Sequence, residues 1–151
     1  MQHQIEFIRK TRSSFIHACK HLSIEQLNHI PAGFNNNIIW NFGHIIVTQQ
    51  GLCYGLSGLP QKIDKDFIAR FRRGSKPESF VSSEEYSYLQ ELSTSLIDEF
   101  ETDLKTGIFT RYTPFTTSLQ LEIDSFDKAV KFNTYHEGLH FGYALALRKL
   151  V

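Results

Sequence analysis

The chain has 151 residues and carries equal numbers of basic and acidic side chains, 16 Lys and Arg against 16 Asp and Glu. This length is typical of one domain, so we expect residues 1–151 to form a single domain. Zero net charge argues against a nucleic-acid-binding protein, which normally has a basic excess, and no apolar run approaches the roughly 18 residues of a membrane span.

The first half of the chain predicts two long helices joined by a loop. The first is predicted over about residues 2–22, where apolar residues recur at spacings of three, four and seven. These residues are Ile5, Ile8, Phe15, Cys19 and Leu22. A short helical turn is expected next, with Ser23 as its cap and Gln26 three residues later. The second long helix is predicted from its N-cap Asn37 to about Ser57, and its apolar residues on several faces indicate a central position.

The second half predicts two further long helices and one extended segment. A short helix is expected around residues 64–71, and the third long helix begins with Ser82 or Ser83 as its N-cap. Residues 106–124 are rich in Thr, aromatic and β-branched residues, which predicts a small hairpin turning at Thr113–Pro114. The last helix is predicted from Ser125 to about residue 149. The expected fold is all-α, a four-helix bundle with a short extended segment before the last helix.

Two histidines in the last helix form the most informative motif. His136 and His140 stand in the pattern H-E-x-x-H, and residues four apart lie on one helix face. Two such imidazoles can reach one ion at about 2.0–2.1 Å; alternatively they only pack or form hydrogen bonds. Metalloproteases with this motif take a third ligand downstream, but the eleven residues after His140 include no His, Asp, Glu or Cys. A third ligand must therefore come from another helix.

His44 is the best candidate for that third ligand. It lies within the apolar stretch of the second helix, where an imidazole is costly to bury unless its nitrogens are satisfied. Taken alone, it is typical of a core histidine bonded to a backbone carbonyl. Beside His136 and His140 on a neighbouring helix, the ligand interpretation is favoured, since bundles build metal sites from inward-facing side chains.

Three segments carry a family resemblance: NNIIWNFGHIIVTQQ, YTPFTTSLQLEID and KFNTYHEGLHFGYALALRKL. In this order they resemble the DinB-like family of metal-binding four-helix bundles. The resemblance implies that His44, His136 and His140 bind one divalent ion, typically zinc or nickel. It also implies a relation to enzymes that transfer low-molecular-weight thiols such as bacillithiol or mycothiol. Tyr143 departs from the pattern, because many relatives carry Gln there.

Three functions stay open from these residues. The resemblance favours a small-thiol S-transferase acting on a small-molecule substrate. A metal-dependent hydrolase would use Glu137 as general base, whereas in a transferase Glu137 would accept a hydrogen bond from an imidazole. The third possibility is a non-catalytic metal-binding stress or interaction module. Polar residues about one turn from the ligands could orient them or touch substrate; they are Asn41, Asn133 and Tyr143.

Charge, aromatic residues and cysteines add expectations about partners and location. The connection after the second helix carries a basic group that could attract an anionic thiol, namely Arg70, Arg72, Arg73 and Lys76. Aromatic loop residues and the family resemblance favour a homodimer; the residues are Phe109, Tyr112 and Phe115. Cys19 and Cys53 form no CxxC pair, and the N-terminus lacks a signal-like apolar segment, so we expect a cytoplasmic protein.

Overall fold

The computed structural model describes residues 1–151 as a helical bundle with one two-stranded sheet. Its elements in chain order are α1 (Gln2–Cys19), α2 (Ile24–Asn28), α3 (Ile38–Gln49), α4 (Lys65–Phe71), α5 (Ser83–Thr106), β1 (Phe115–Thr116), β2 (Glu122–Ile123) and α6 (Phe126–Leu147). Helix α6 contacts both α1 and α3, and α5 contacts the same two helices. The predicted all-α fold with four long helices is confirmed. None of the helices has the length and apolar character needed to cross a membrane.

The second long helix extends to its predicted end at Ser57, but its last two turns are not α-helical. After α3, a π-helical turn covers Gln50–Tyr54 and a 3-10 turn covers Gly55–Ser57. Nearly every residue of α3 is buried, which confirms the predicted central position. π-Helical turns occur frequently at functional sites, and this one contributes Gly51 and Leu52 to the wall of a cavity described below.

The helices begin at the predicted N-caps, but the first helix ends earlier than predicted. The side chain of Asn37 accepts a hydrogen bond from the Trp40 amide at 2.8 Å, and Ser82 caps α5. Helix α1 was expected to reach Leu22 but ends at Cys19. The reason is a capping box in which Ser23 and Gln26 bond reciprocally to start α2, so the chain must turn before Ser23.

The predicted hairpin exists, but its predicted turn was wrong. Phe115 pairs with Ile123 in an antiparallel ladder, so the turn lies at residues 117–121 and not at Thr113–Pro114. The Thr113 amide instead donates to the Leu56 carbonyl at 2.7 Å, which ties this segment to the end of the second helix. The turn is closed by the Leu121 amide, which donates to the Thr117 hydroxyl at 3.1 Å.

A layer of buried polar side chains divides the core into two apolar clusters. The larger cluster includes Phe15, Phe42 and Leu147, and the smaller one includes Ile8 and Phe100. On each long helix, polar residues lie in the chain between members of the two clusters. These buried polar residues are Arg12 in α1, Gln49 and Gln50 at the end of α3, Ser93 in α5, and Asn133 and Glu137 in α6.

Candidate metal centre

Three histidines from two neighbouring helices converge at one point of the bundle. His44 comes from α3, and His136 and His140 come from α6. One potential ligand atom from each lies within 4.8 Å of the other two. Two ligands of one ion at about 2.1 Å are at most about 4.2 Å apart, so small side-chain rotations bring all three within bonding distance. The structure thus brings together the three residues that the sequence selected.

His44 is oriented by the backbone of α4. Its Nδ1–H donates to the Phe71 carbonyl at 2.7 Å, so Nε2 is the nitrogen with a free lone pair. Helix α4 approaches this closely because Gly43 has no side chain: a Cβ there would meet the Phe71 ring at 2.5 Å. The Trp40 ring stacks on the His44 imidazole with centroids 4.6 Å apart. The local sequence Trp-x-x-Gly-His therefore fixes the ring in place.

His140 is oriented by an asparagine of the neighbouring helix. Its Nδ1 lies 2.8 Å from Oδ1 of Asn41, so Nδ1–H donates and Nε2 again carries the free lone pair. The Asn41 amide is itself held, because it donates to the Asn37 carbonyl at 2.8 Å and to Oδ1 of Asn36 at 3.1 Å. Asn41 therefore orients His140, which is one of the two roles that its position predicted.

His136 has a ring nitrogen that the protein leaves unsatisfied. Its Nδ1 is buried and has no hydrogen-bond partner. A buried polar atom without a partner costs about 1–3 kcal/mol. In His44 and His140 the unprotonated nitrogen is Nε2, and in His136 a buried ring nitrogen lacks a partner. Three such imidazoles form a donor set that fits a divalent metal ion.

Burial keeps all three imidazoles neutral at physiological pH. Desolvation lowers the pKa of His136 to about 4 and that of His140 to about 3, and the neighbouring histidines add to both shifts. The pKa of His44 is lowered by burial as well, although its bond to the Phe71 carbonyl opposes the shift. Neutral imidazole is the form that binds metal, so these rings need not lose protons first.

These shifts predict that the metal-free protein loses stability in mild acid. The unfolded chain takes up protons at its histidines near pH 6.5, whereas folded His136 and His140 stay neutral until about pH 4 and 3. The free energy of unfolding should therefore fall between pH 6.5 and 4, by on the order of 1–2 kcal/mol per histidine at pH 5. Urea unfolding at several pH values in the presence of a chelator measures this change in the free energy of unfolding. A variant with all three histidines changed to Gln should show a shallower decline, and equal slopes would contradict the prediction.

Asn41→Ala is expected to weaken metal binding about 10–100-fold, because His140 loses the acceptor that fixes its ring and tautomer. Metal titration monitored by the fluorescence of Trp40, the single tryptophan of the chain, measures the change. Asn35→Ala, at an exposed position, is the matched control and should leave affinity unchanged. An Asn41→Ala affinity within twofold of the original would show that the hydrogen bond has no role in binding.

The histidine cluster opens into a cavity of about 320 Å³. His44 and His136 form part of its wall, and Thr48 Oγ1 lies 3.3 Å from His44 Nε2 at the same place. The remaining lining residues are Gly51, Leu52, Leu56, Arg73, Phe115, Thr117, Ser118 and Phe132. No carboxylate is among them. Three histidines beside a cavity would leave an ion room for a water or a substrate, whereas structural zinc sites are closed by four protein ligands.

Glu137 does not join the histidines. It is fully buried and pairs with Arg12, whose Nη2 and Nε donate to its two oxygens at 2.8 and 3.1 Å. Asn133 donates to the same carboxylate at 3.0 Å, and Arg12 also donates to the Ser93 carbonyl at 2.9 Å. Both expected roles of Glu137 require contact with the site, either with an imidazole or with a bound water. The side chain makes no hydrogen bond to an imidazole, because both of its oxygens accept from Arg12 of α1.

The other predicted residues separate into three groups. Asn133 supports Glu137 rather than a histidine. Tyr143 packs edge-on against Phe34 with ring centroids 5.8 Å apart, away from the cavity wall. Of the basic connection, only Arg73 lines the cavity. Arg70 pairs with Glu85 at 3.0 Å.

Arg12 is the structurally important residue that the sequence analysis missed. A signal was present, because Arg12 fills the gap of seven between Ile8 and Phe15 on the buried face of α1. A charge at such a position requires a buried partner. That partner lies 125 residues away in the chain, beyond the reach of any local pattern.

Comparison with known proteins identifies a family. The family model described as the DinB superfamily matches residues 8–144, a range that contains all three histidines as well as Arg12 and Glu137. No curated protein matches the chain.

Proposed function

The chain belongs to the DinB superfamily, and from this premise we propose that it is a metal-dependent transferase of small thiols. In this proposal His44, His136 and His140 bind one zinc or nickel ion. The observation that supports transfer best is that two of the three clustered imidazoles, those of His44 and His136, line an open cavity without a carboxylate in its wall.

The cavity wall suits a reaction in which the nucleophile needs no protein base. A divalent ion held by the three imidazoles would keep the sulfur of a small thiol as its thiolate. The thiol proton passes to solvent, a sulfur–carbon bond forms with an electrophilic second substrate, and the leaving group departs with the electron pair. Leu52, Leu56 and Phe132 give the cavity an apolar wall, and apolar surroundings strengthen interactions with the reacting charge. The imidazoles stay neutral throughout.

The environment of Glu137 argues against the hydrolase alternative. A hydrolase with the H-E-x-x-H motif uses its Glu as general base on a metal-bound water. Here both carboxylate oxygens are engaged by Arg12, and Asn133 contacts one of them as well. The remaining alternative, a non-catalytic metal-binding module, has no use for an open cavity.

Activity measurements on zinc- and nickel-loaded protein test the proposal. N-acetylcysteine with an aryl halide probes conjugation, and p-nitrophenyl acetate probes hydrolysis. We expect conjugation above the uncatalysed rate that requires both metal and thiol and is lost in His140→Ala. Product formation undiminished without any thiol would support the hydrolase. Absence of both activities across a wider panel of thiols and electrophiles would support the non-catalytic module.

We also propose that the protein forms a homodimer through the outward face of α6. Of the predicted loop aromatics, Phe109 stacks on Phe126 with ring centroids 4.2 Å apart and covers the end of the bundle, whereas Phe115 stays exposed. The exposed face of α6 instead presents Tyr135, Leu139 and Tyr143 at intervals of four residues. Between residues 132 and 147 the only charged side chain is Glu137, which is buried. A face without charge can meet its own copy across a two-fold axis without repulsion.

Sedimentation at micromolar concentration is expected to give about twice the monomer mass of 17.5 kDa. Leu139→Lys should produce monomers, because a two-fold axis brings the two introduced charges together. Phe7→Lys, at a more exposed apolar position of α1, is the control and should stay dimeric. A monomeric unaltered protein would refute the dimer, and a dimeric Leu139→Lys variant would refute this interface.

A further inference from the structure

We infer that the cavity beside the histidines selects thiols that also carry one anionic group, such as a carboxylate, which Arg73 binds. This inference rests on the proposed thiol transfer and specifies its substrate class. Arg73 is the only Lys or Arg among the lining residues. No acidic side chain forms an ion pair with it, in contrast to Arg70, which is bound by Glu85.

The neighbouring basic residues do not share this position. Arg72 and Lys76 line a different cavity together with Trp40 and Glu78. The metal-side cavity therefore carries a single cation without a compensating anion. An arginine fork is suited to bidentate hydrogen bonding with a carboxylate. A ligand with one negative charge can pair with the Arg73 guanidinium. An uncharged ligand cannot, and the guanidinium then stays hydrated.

The rest of the wall defines the body of the ligand. Apolar side chains of Leu52, Leu56, Phe115 and Phe132 form most of the exposed lining. Besides Arg73 and the two histidines, the polar lining residues are Thr48, Thr117 and Ser118. At about 30 Å³ for each water-sized group, the cavity of about 320 Å³ holds roughly ten non-hydrogen atoms. The favoured ligand is thus a short chain with its thiol at the histidines and its anionic group at Arg73.

A matched ligand series tests this inference by binding rather than by turnover. Cobalt-loaded protein is titrated with ω-mercaptoalkanoic acids of two to six carbons and with the corresponding ω-mercaptoalkanamides. Binding is followed by the sulfur-to-cobalt charge-transfer band. At the best chain length we expect the acid to bind about 10-fold or more tightly than its amide, because the charge-assisted bonds to Arg73 are lost in the amide. Alkanoic acids without a thiol should bind far more weakly.

Variants assign the preference to Arg73. Arg73→Gln should bind acid and amide equally, Arg73→Lys should keep part of the preference, and the control Arg72→Gln should keep all of it. Circular dichroism and metal content establish that each variant is folded and loaded. If thiols bind but acids and amides bind alike, or if Arg73→Gln keeps the preference, the inference is wrong and the proposed function stands. If no thiol changes the spectrum of the loaded protein, both are wrong.

Discussion

Glu137→Gln is expected to lower the free energy of unfolding by about 3–5 kcal/mol. Glu137 and Arg12 are 0% and 2% exposed, so water cannot replace a lost partner. The substitution removes the negative charge but leaves the guanidinium buried, since arginine stays protonated in proteins. It also turns an amide NH₂ group toward Arg12 or Asn133, both of which donate hydrogen bonds to this position.

Urea unfolding of metal-free protein measures this loss. Glu85→Gln is the matched control, because Glu85 pairs with Arg70 on the exposed surface and Gln can keep its capping contact with Ser82; its cost should be below about 1 kcal/mol. Adding Arg12→Met to Glu137→Gln should recover part of the stability, since no unpaired charge remains. If Glu137→Gln and Glu85→Gln lower the free energy of unfolding by the same amount, the buried pair contributes no more to stability than the exposed pair.

His140→Ala is expected to abolish stoichiometric binding of zinc or nickel. It leaves two imidazoles where three were available, and two protein ligands rarely hold these ions against buffer and water. The loss of affinity should exceed the roughly 10–100-fold effect expected when only an orienting hydrogen bond is removed. The substitution also removes the hydrogen bond that His140 Nδ1–H donates to Oδ1 of Asn41.

Metal content after gel filtration and quenching of Trp40 fluorescence measure the binding. Trp40 is a suitable reporter, because its ring stacks on the His44 imidazole at 4.6 Å. His17→Ala removes an exposed histidine of α1 and should keep one ion per chain. If His140→Ala retains one tightly bound ion, His140 is not a ligand and the three-histidine site is wrong.

The histidine cluster was predictable because its signals are local. A spacing of four places His136 and His140 on one helix face, and a histidine in the apolar α3 demands a partner. Helix starts were predictable for a similar reason, since caps such as Asn37 and Ser82 act within three residues. Local patterns therefore predicted most of the helices and the three histidines that lie together in the structure.

Features that depend on distant contacts were not predictable. The direction of Glu137 is decided by Arg12, and the position of the hairpin turn is decided by the bond between Thr113 and Leu56. The choice of Arg73 from four basic residues depends on which of them faces the cavity. Each outcome requires the relative placement of helices, which no pattern within one segment contains.

The layer of polar side chains across the bundle has a consequence for the axial register of the helices. Apolar side chains such as Ile8 and Phe100 tolerate sliding, because hydrophobic burial is non-directional. A slide of α6 by one turn, about 5.4 Å, would instead separate Glu137 from Arg12 and leave two unpaired charges in the interior. His136 directly precedes Glu137 in the chain. The ion pair between Glu137 and Arg12 thus fixes the axial position of α6. It thereby keeps His136 and His140 at the same height along the bundle as His44.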